Sequence, residues 1–166
     1  MTPQDLKAFL AEHPFFSTLP AEDLAIMSSC AEYASFAVGD ILLREGQQAT
    51  RFYVLREGSV AIDVHHPARG LITLMTVGKG DVVGWSWLLE PYLSQFDARV
   101  LRPTKALVFD AVALRASFEQ HPALGYAVTR KLLAQVTKRL YAARIQLLDL
   151  YGISNNPSSD SPKYQE

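Results

Sequence analysis

Two neighbouring stretches hold the residues best suited to chemistry. Gly84-Trp85-Ser86-Trp87-Leu88-Leu89 follows a β-type run, Asp81-Val82-Val83, and is itself followed by Gln95-Phe96-Asp97-Ala98-Arg99-Val100. A strand, a glycine, a short helical turn and a second strand can aim backbone N–H groups at an anion. The start of a helix carries unpaired donors and partial positive charge. The side chains argue the other way. A phosphate cradle favours small and basic residues, and here stand Trp85, Trp87 and Asp97. Gly84-Trp85-Ser86-Trp87-Leu88 also imitates the first half of a nucleophile elbow, but the second glycine is missing. No His–carboxylate arrangement lies near it in sequence, so the chain reads as non-catalytic.

The remaining reactive side chains are sparse. Cys30 is the single cysteine, which rules out an intrachain disulfide and permits a reducing compartment. Its sequence neighbours supply no base, so it reads as a small core residue rather than a nucleophile. His65 and His66 are adjacent and point to opposite faces of an extended chain, a poor chelate. No Cys/His spacing suits a metal. With 166 residues, 49% apolar content and a formal net charge of −1, the chain is long enough for a real core. The same figures argue against disorder and against broad nucleic-acid coating. No basic and apolar leader opens the chain, and no apolar run reaches the roughly 20 residues of a membrane span. A cytoplasmic protein is expected.

The elements that must hold these stretches follow from the pattern. Thr2-Pro3-Gln4-Asp5 reads as a helix start with Thr2 as cap, and His13-Pro14 as its end. A second helix starts near Pro20 and runs toward Cys30. From Tyr33 to Asp110 the period changes. Eight short β-rich runs are expected: Tyr33 to Ala37, Asp40 to Leu43, Arg51 to Leu55, Ser59 to Val64, Leu71 to Val77, Asp81 to Val83, Gln95 to Leu101, and Lys105 to Phe109. Many short strands at near-regular spacing indicate an antiparallel sandwich or barrel. His65 to Gly70 reads as a hairpin connection. Asp110 caps a helix that ends before His121-Pro122, and a long helix follows from Ala123 to Tyr151, with Gly152 past its end. Tyr126, Thr129, Leu133, Val136, Leu140, Ala143, Leu147 and Leu150 recur in alternating steps of three and four, a coiled-coil seam. A dimer helix is favoured over a simple core helix. A second flank, Leu132, Tyr141, Ile145 and Leu148, suits packing on the chain's own β domain. The domain boundaries are 1–32 for the leading helices, 33–110 for the β region, 111–152 for the C-terminal helices and 153–166 for a disordered tail.

Gly39-Asp40-Ile41 through Glu45-Gly46, then Phe52-Tyr53-Val54-Leu55-Arg56-Glu57-Gly58-Ser59-Val60-Ala61-Ile62, resembles the first signature of cyclic-nucleotide-binding domains of the catabolite-activator type. Gly80-Asp81-Val82-Val83-Gly84 resembles the start of that family's phosphate-binding cassette, here residues 80–100. The resemblance covers roughly residues 12 to 150. It implies a mainly β fold with flanking helices: a double-stranded β-helix, or β-roll, of eight strands, with a long C-terminal dimerisation helix. Family transcription factors carry a winged helix-turn-helix after that helix. Only 14 residues follow Gly152 here, so specific DNA binding is not expected.

The resemblance also sets which residues face a ligand. Family members hold the ribose with a glutamate after the cassette glycine, and the cyclic phosphate with an arginine and a hydroxyl before an alanine. Ala98 takes the alanine position. Phe96 then stands where the arginine belongs, Asp97 where the hydroxyl belongs, and Trp85 where the glutamate belongs. Phe96 offers no donor. Asp97 is expected to repel a phosphate. The candidate ligand-facing set is Gly84, Trp85, Ser86, Trp87, Phe96, Asp97, Ala98 and Arg99, with Arg144 from the long helix. The seam residues Leu133, Val136, Leu140, Ala143, Leu147 and Leu150 serve dimerisation. Between Glu119 and Asp149 there is no acid, while Arg130, Lys131, Lys138, Arg139 and Arg144 are all present. The cassette also resembles that of the accessory homodimeric subunit of NAD-reducing soluble hydrogenases. That likeness implies a regulatory subunit docking on an NAD(P)-linked redox complex, with NADPH as a ligand. The alternative is a cAMP- or cGMP-sensing domain.

Overall fold

The computed structural model describes residues 3–150. Thr2 as a cap, Gly152, residues 153–166 and the side chain of Leu150 lie outside the described residues. The chain divides into two compact units, Met1–Leu132 and Leu133–Glu166.

The first unit begins with helices α1 (Pro3–Glu12) and α2 (Ala21–Ser29). Pro20 stands immediately before α2, close to the expected start. The strands are β1 (Ala31–Phe36), β2 (Ile41–Leu43), β3 (Arg51–His66), β4 (Gly70–Gly78), β5 (Val82–Val83) and β6 (Asp97–Asp110). All pair antiparallel, in the order β1-β6-β3-β4, with β2 also on β6 and β5 on β3. This is the mainly β fold with flanking helices expected from the sequence.

The eight expected runs become six strands, because two pairs of runs are continuous. In the sequence Gly58 separates two of these runs. In the structure it is a bend within β3: its φ is +90°, and the register to β6 shifts between Leu55 and Val60. A bulge of this kind turns a strand without ending its ladder. β6 runs on in the same way through Pro103. The hairpin at His65 to Gly70 joins β3 to β4, as expected.

Alternation along β3 and β6 divides the interior in two. Phe52, Val54, Leu107 and Phe109 face the helices, and with Leu10, Phe16, Met27 and Leu114 form one core. Tyr53, Leu55, Val60, Ile62, Ala98, Val100, Ala106 and Val108 face the inside of the roll and form another. A sheet buried on both faces loses the polar half of its alternation, which is why these strands read as nearly continuous apolar runs. Cys30 is half-buried at the edge of the helical core.

The Asp110 carboxylate accepts from the backbone N–H groups of Val112 and Ala113 at 2.9 and 3.0 Å, and so caps α3 (Ala111–Gln120). Helix α4 (Pro122–Leu150) starts on proline. Leu124, Val128 and Leu132 are buried, which sets the stripe that α4 turns to the core. The first turns of α4 therefore belong with the β-roll, and the compact boundary falls within the helix rather than ahead of α3. In the second unit Leu133, Leu140 and Leu147 of the expected seam are exposed, and Val136 and Ala143 half-buried. Tyr141, Ile145 and Leu148, expected to pack on the β domain with Leu132, are exposed as well.

Candidate functional site

The cassette is held in place by the strand before it. Gly80 donates to the Leu55 carbonyl at 2.8 Å and Leu55 to the Asp81 carbonyl at 3.0 Å, and the Asp81 carboxylate closes the turn on the Gly78 N–H at 2.9 Å. Val82 and Val83 then pair with Val54 and Tyr53. At Gly84 the chain turns with φ +91°. The helical turn beyond it is a single 3-10 turn, Ser86–Leu88. That is too short to carry an appreciable dipole, so the expected anion cradle keeps its glycine and loses its helix.

The two tryptophans take opposite sides. Trp85 is half-buried and meets Phe96, with ring centroids 5.0 Å apart, among the residues of the roll interior. Phe96 is 4% exposed, and Ala98 and Val100 are fully buried, so these alternate residues all face inward. Phe96 and Trp85 are thus brought together where the family arginine and glutamate were expected. Trp87 is not with them. It is fully buried in the helical core, stacked on Phe52 at 5.0 Å and an interplanar angle of 7°, and tilted against Phe118 at 5.8 Å. Its indole N–H is buried without an acceptor, so packing alone holds it. Ser86 is buried beside it. Trp87 and Ser86 were expected to face a ligand. The glycine turn resets the parity and sends them to the other core.

Asp97 and Arg99 point away from the roll interior. Asp97 accepts from the Glu45 N–H at 2.7 Å and pins the loop after β2. The expectation that its charge sits beside a bound phosphate is therefore corrected. Arg99 places Nη2 and Nε at 2.8 and 2.9 Å from Oδ2 of Asp63, a carboxylate with no exposed surface. Thr73 donates to the other Asp63 oxygen at 2.5 Å. Arg99 is thereby engaged with a buried carboxylate. Arg144 is exposed on α4 and belongs to the second unit.

Sequence reasoning missed Asp63 and Arg115. An acid inside Val60-Ala61-Ile62-Asp63-Val64 was the available signal for the first. Arg115 of α3 donates from Nη1 to the Trp87 carbonyl at 2.8 Å, and its guanidinium lies 4.2 Å from the centre of the Tyr92 ring. It clasps the cassette at two points, Trp87 and Tyr92, and nothing in its own neighbourhood of the sequence signals that. Among the described residues no group of three or more His, Cys, Asp and Glu side chains could hold a metal ion. No helix among them is long and apolar enough to cross a membrane.

A sequence model of the cyclic nucleotide-binding domain matches residues 33–121, more than half of the chain. The chain belongs to that family. A Rhodopseudomonas palustris protein named as a potassium channel is 24% identical over 145 residues, covering 87% of this chain and 34% of its own length. This chain thus spans about a third of that relative. A solved Geobacter metallireducens structure, named as a cyclic nucleotide-binding protein, is 27% identical, covers 84% of this chain and 98% of its own, and has a TM-score of 0.72. The Thermus thermophilus catabolite activator protein shares the fold at 23% identity and a TM-score of 0.64, covering 84% of this chain and 63% of its own. The hydrogenase-subunit resemblance draws no support from these relatives.

Proposed function

We propose that this chain is a non-catalytic regulatory domain of the cyclic-nucleotide-binding kind, acting through helix α4, with its cassette occupied by its own Trp85 and Phe96. Family membership supports the regulatory part. The observation that carries the rest is the Trp85–Phe96 contact inside the roll, at the positions from which relatives with a working cassette hold ribose and phosphate. A cyclic phosphate entering there meets two aromatic rings in place of a guanidinium and a carboxylate. Each lost charged hydrogen bond costs roughly 2–5 kcal/mol of binding, so cAMP and cGMP bind weakly or not at all while the pair stays closed.

Isothermal titration with cAMP, cGMP and NADPH tests this reading. No heat from either cyclic nucleotide at micromolar protein is expected. A micromolar affinity for cAMP would make the chain a conventional sensor and overturn the filled cassette, leaving the regulatory role intact. NADPH binding with no cyclic-nucleotide binding would favour the redox-complex reading, which at present has no residue in its support.

Action through α4 includes self-association along Leu133, Val136, Leu140, Ala143 and Leu147. The seam's regular spacing and the exposure of Leu133, Leu140 and Leu147 support this. Light scattering should find a dimer, and Leu140→Glu with Leu147→Glu a monomer. A wild-type monomer at high concentration removes this part of the reading.

A further inference from the structure

Beside the cassette lies a small polar cavity that the reading above does not use. It is formed where the loop from Arg44 to Thr50 is zipped to residues 92–94. Gly46 donates to the Ser94 carbonyl and Ser94 to the Gln47 carbonyl, both at 2.8 Å, and Ala49 donates to the Tyr92 carbonyl at 2.6 Å. Gln48 bridges to Leu93. The cavity measures about 140 Å³. Its polar lining includes Arg44, Arg51, Gln47, Thr50, Tyr53 and Ser94, and none of its lining residues is acidic. No residue of the Trp85–Phe96 site lines it, although the Arg51 carbonyl passes 3.5 Å from the place of a Cβ on Gly84.

Three observations give the cavity its ligand chemistry. Two arginines line it, Arg44 and Arg51, and neither forms an ion pair among the described residues, although the Arg51 side chain hydrogen-bonds Tyr53. Arg51 also borders a second groove holding Glu32 and Asp110, without pairing to either. The nearest acid along the loop, Glu45, is committed elsewhere: its carboxylate accepts from the His65 N–H at 3.2 Å. Finally, Ser94 is 5% exposed and lines the cavity. The Tyr53 hydroxyl is already spent as a donor on the Leu42 carbonyl at 2.9 Å, which leaves Ser94 and Thr50 as the other hydroxyl residues of the lining.

The volume decides the size of what fits. At about 30 Å³ per water, it equals four or five waters. It is well below the roughly 300–1,000 Å³ of a site for a drug-sized ligand. We propose that this cavity is a separate oxyanion site for inorganic phosphate or the phosphate of a monoester, held by Arg44 and Arg51 with the Ser94 hydroxyl as donor. Guanidinium forks suit tetrahedral oxyanions because two N–H groups meet two oxygens at once. Occupancy fastens the loop after β2 to residues 92–94, the segment that closes the cassette, so the site offers a second input to the same element.

The test is an amide NMR titration of the full chain with sodium phosphate, at ionic strength held constant with chloride. Saturable shifts at Gln47, Arg51 and Ser94 are expected. Arg51→Gln should weaken binding at least tenfold, Arg44→Gln likewise, and Ser94→Ala severalfold, while Arg69→Gln in the exposed hairpin should have no effect. Arg44 is on an exposed loop, so its variant carries the test if Arg51→Gln fails to fold. Glycerol 3-phosphate separates the sources: equal binding identifies a monoester site, weaker binding a free-phosphate site. Absence of saturation in the millimolar range overturns the proposal. So does equal weakening by Arg69→Gln, which indicates diffuse charge, or displacement of phosphate by cAMP, which indicates the cassette.

Discussion

Replacing Arg99 by alanine separates a ligand role from a structural one. In wild type the guanidinium makes two contacts to one oxygen of Asp63, whose side chain has no exposed surface, while the Arg99 side chain is 33% exposed. Removing it leaves a buried carboxylate with Thr73 as its remaining side-chain donor. Breaking a fully buried pair costs roughly 3–5 kcal/mol, and a hydrogen bond to a charged group about 1.5–3. Because water reaches the arginine side, the lower part of that range applies, and we expect Arg99→Ala to cost ~3 kcal/mol. That is a large share of the roughly 5–15 kcal/mol holding a domain together. It lowers Tm by roughly 6–12 °C for a chain of this size. The assay is urea unfolding followed by the fluorescence of Trp85 and Trp87, with the midpoint falling and the slope unchanged. The double variant Asp63→Val with Arg99→Met should recover much of the loss, since an apolar replacement leaves no charge stranded. A loss under about 1 kcal/mol for Arg99→Ala refutes the reasoning. It would mean that Asp63 is satisfied by water and that Arg99 is free for a ligand.

The other predictions bear on the frame around the site. Gly58→Ala should cost at least about 2 kcal/mol by urea unfolding, because φ is +90° and the new Cβ would lie 2.5 Å from the Pro103 carbonyl, in contact also with the Thr104 hydroxyl. A loss near zero would mean that the bend in β3 relaxes freely. Arg115→Ala removes the hydrogen bond to Trp87 and the contact with Tyr92, and should cost about 1–3 kcal/mol. It should also speed hydrogen exchange in residues 85–92; unchanged exchange there argues against the clasp. Burial lowers the His13 pKa from its ordinary value, so as pH falls below about 6.5 the unfolded chain takes up a proton that the folded chain resists. Stability is therefore full above that pH and declines below it. His13→Gln should flatten the decline between about pH 7 and 5, and an equally steep decline in the variant excludes His13 as its source.

How far the fold could be read from the sequence depended on what each signal encodes. Alternation in Phe96-Asp97-Ala98 places Phe96 and Ala98 on one face and Asp97 on the other, as the structure does, because parity is a local property. Strand ends were harder. A glycine that stops one strand bends another, and only the ladder between β3 and β6 distinguishes the two at Gly58. Trp87 was misassigned because parity does not survive a turn with positive φ at Gly84. Asp63 and Arg99 were unreadable as a pair. Arg99 pairs in register with Ala61, two residues from Asp63, so the ion pair is diagonal across two strands. Register comes from the assembled sheet, and residue spacing in a single sequence does not carry it.

The cassette's two faces give it a means of acting on the helices. On its inner side Trp85 rests on Phe96, which belongs to the roll interior. Two residues later Trp87 is stacked on Phe52 in the helical core, against Phe118 of α3. Phe118 in turn packs under the start of α4, where a Cβ on Gly125 would come within 3.0 Å of it. Packed cores do not deform smoothly, so an element shared by two of them tends to shift as a unit. A ligand or partner that drew Trp85 away from Phe96 has to move the 3-10 turn, and with it the Trp87 carbonyl that Arg115 holds. On the proposed reading, the aromatic occupation of the pocket removes the usual trigger while leaving the linkage assembled. A trigger of different chemistry acting at either end of the cassette would reach α3 and the first turn of α4 by the same contacts.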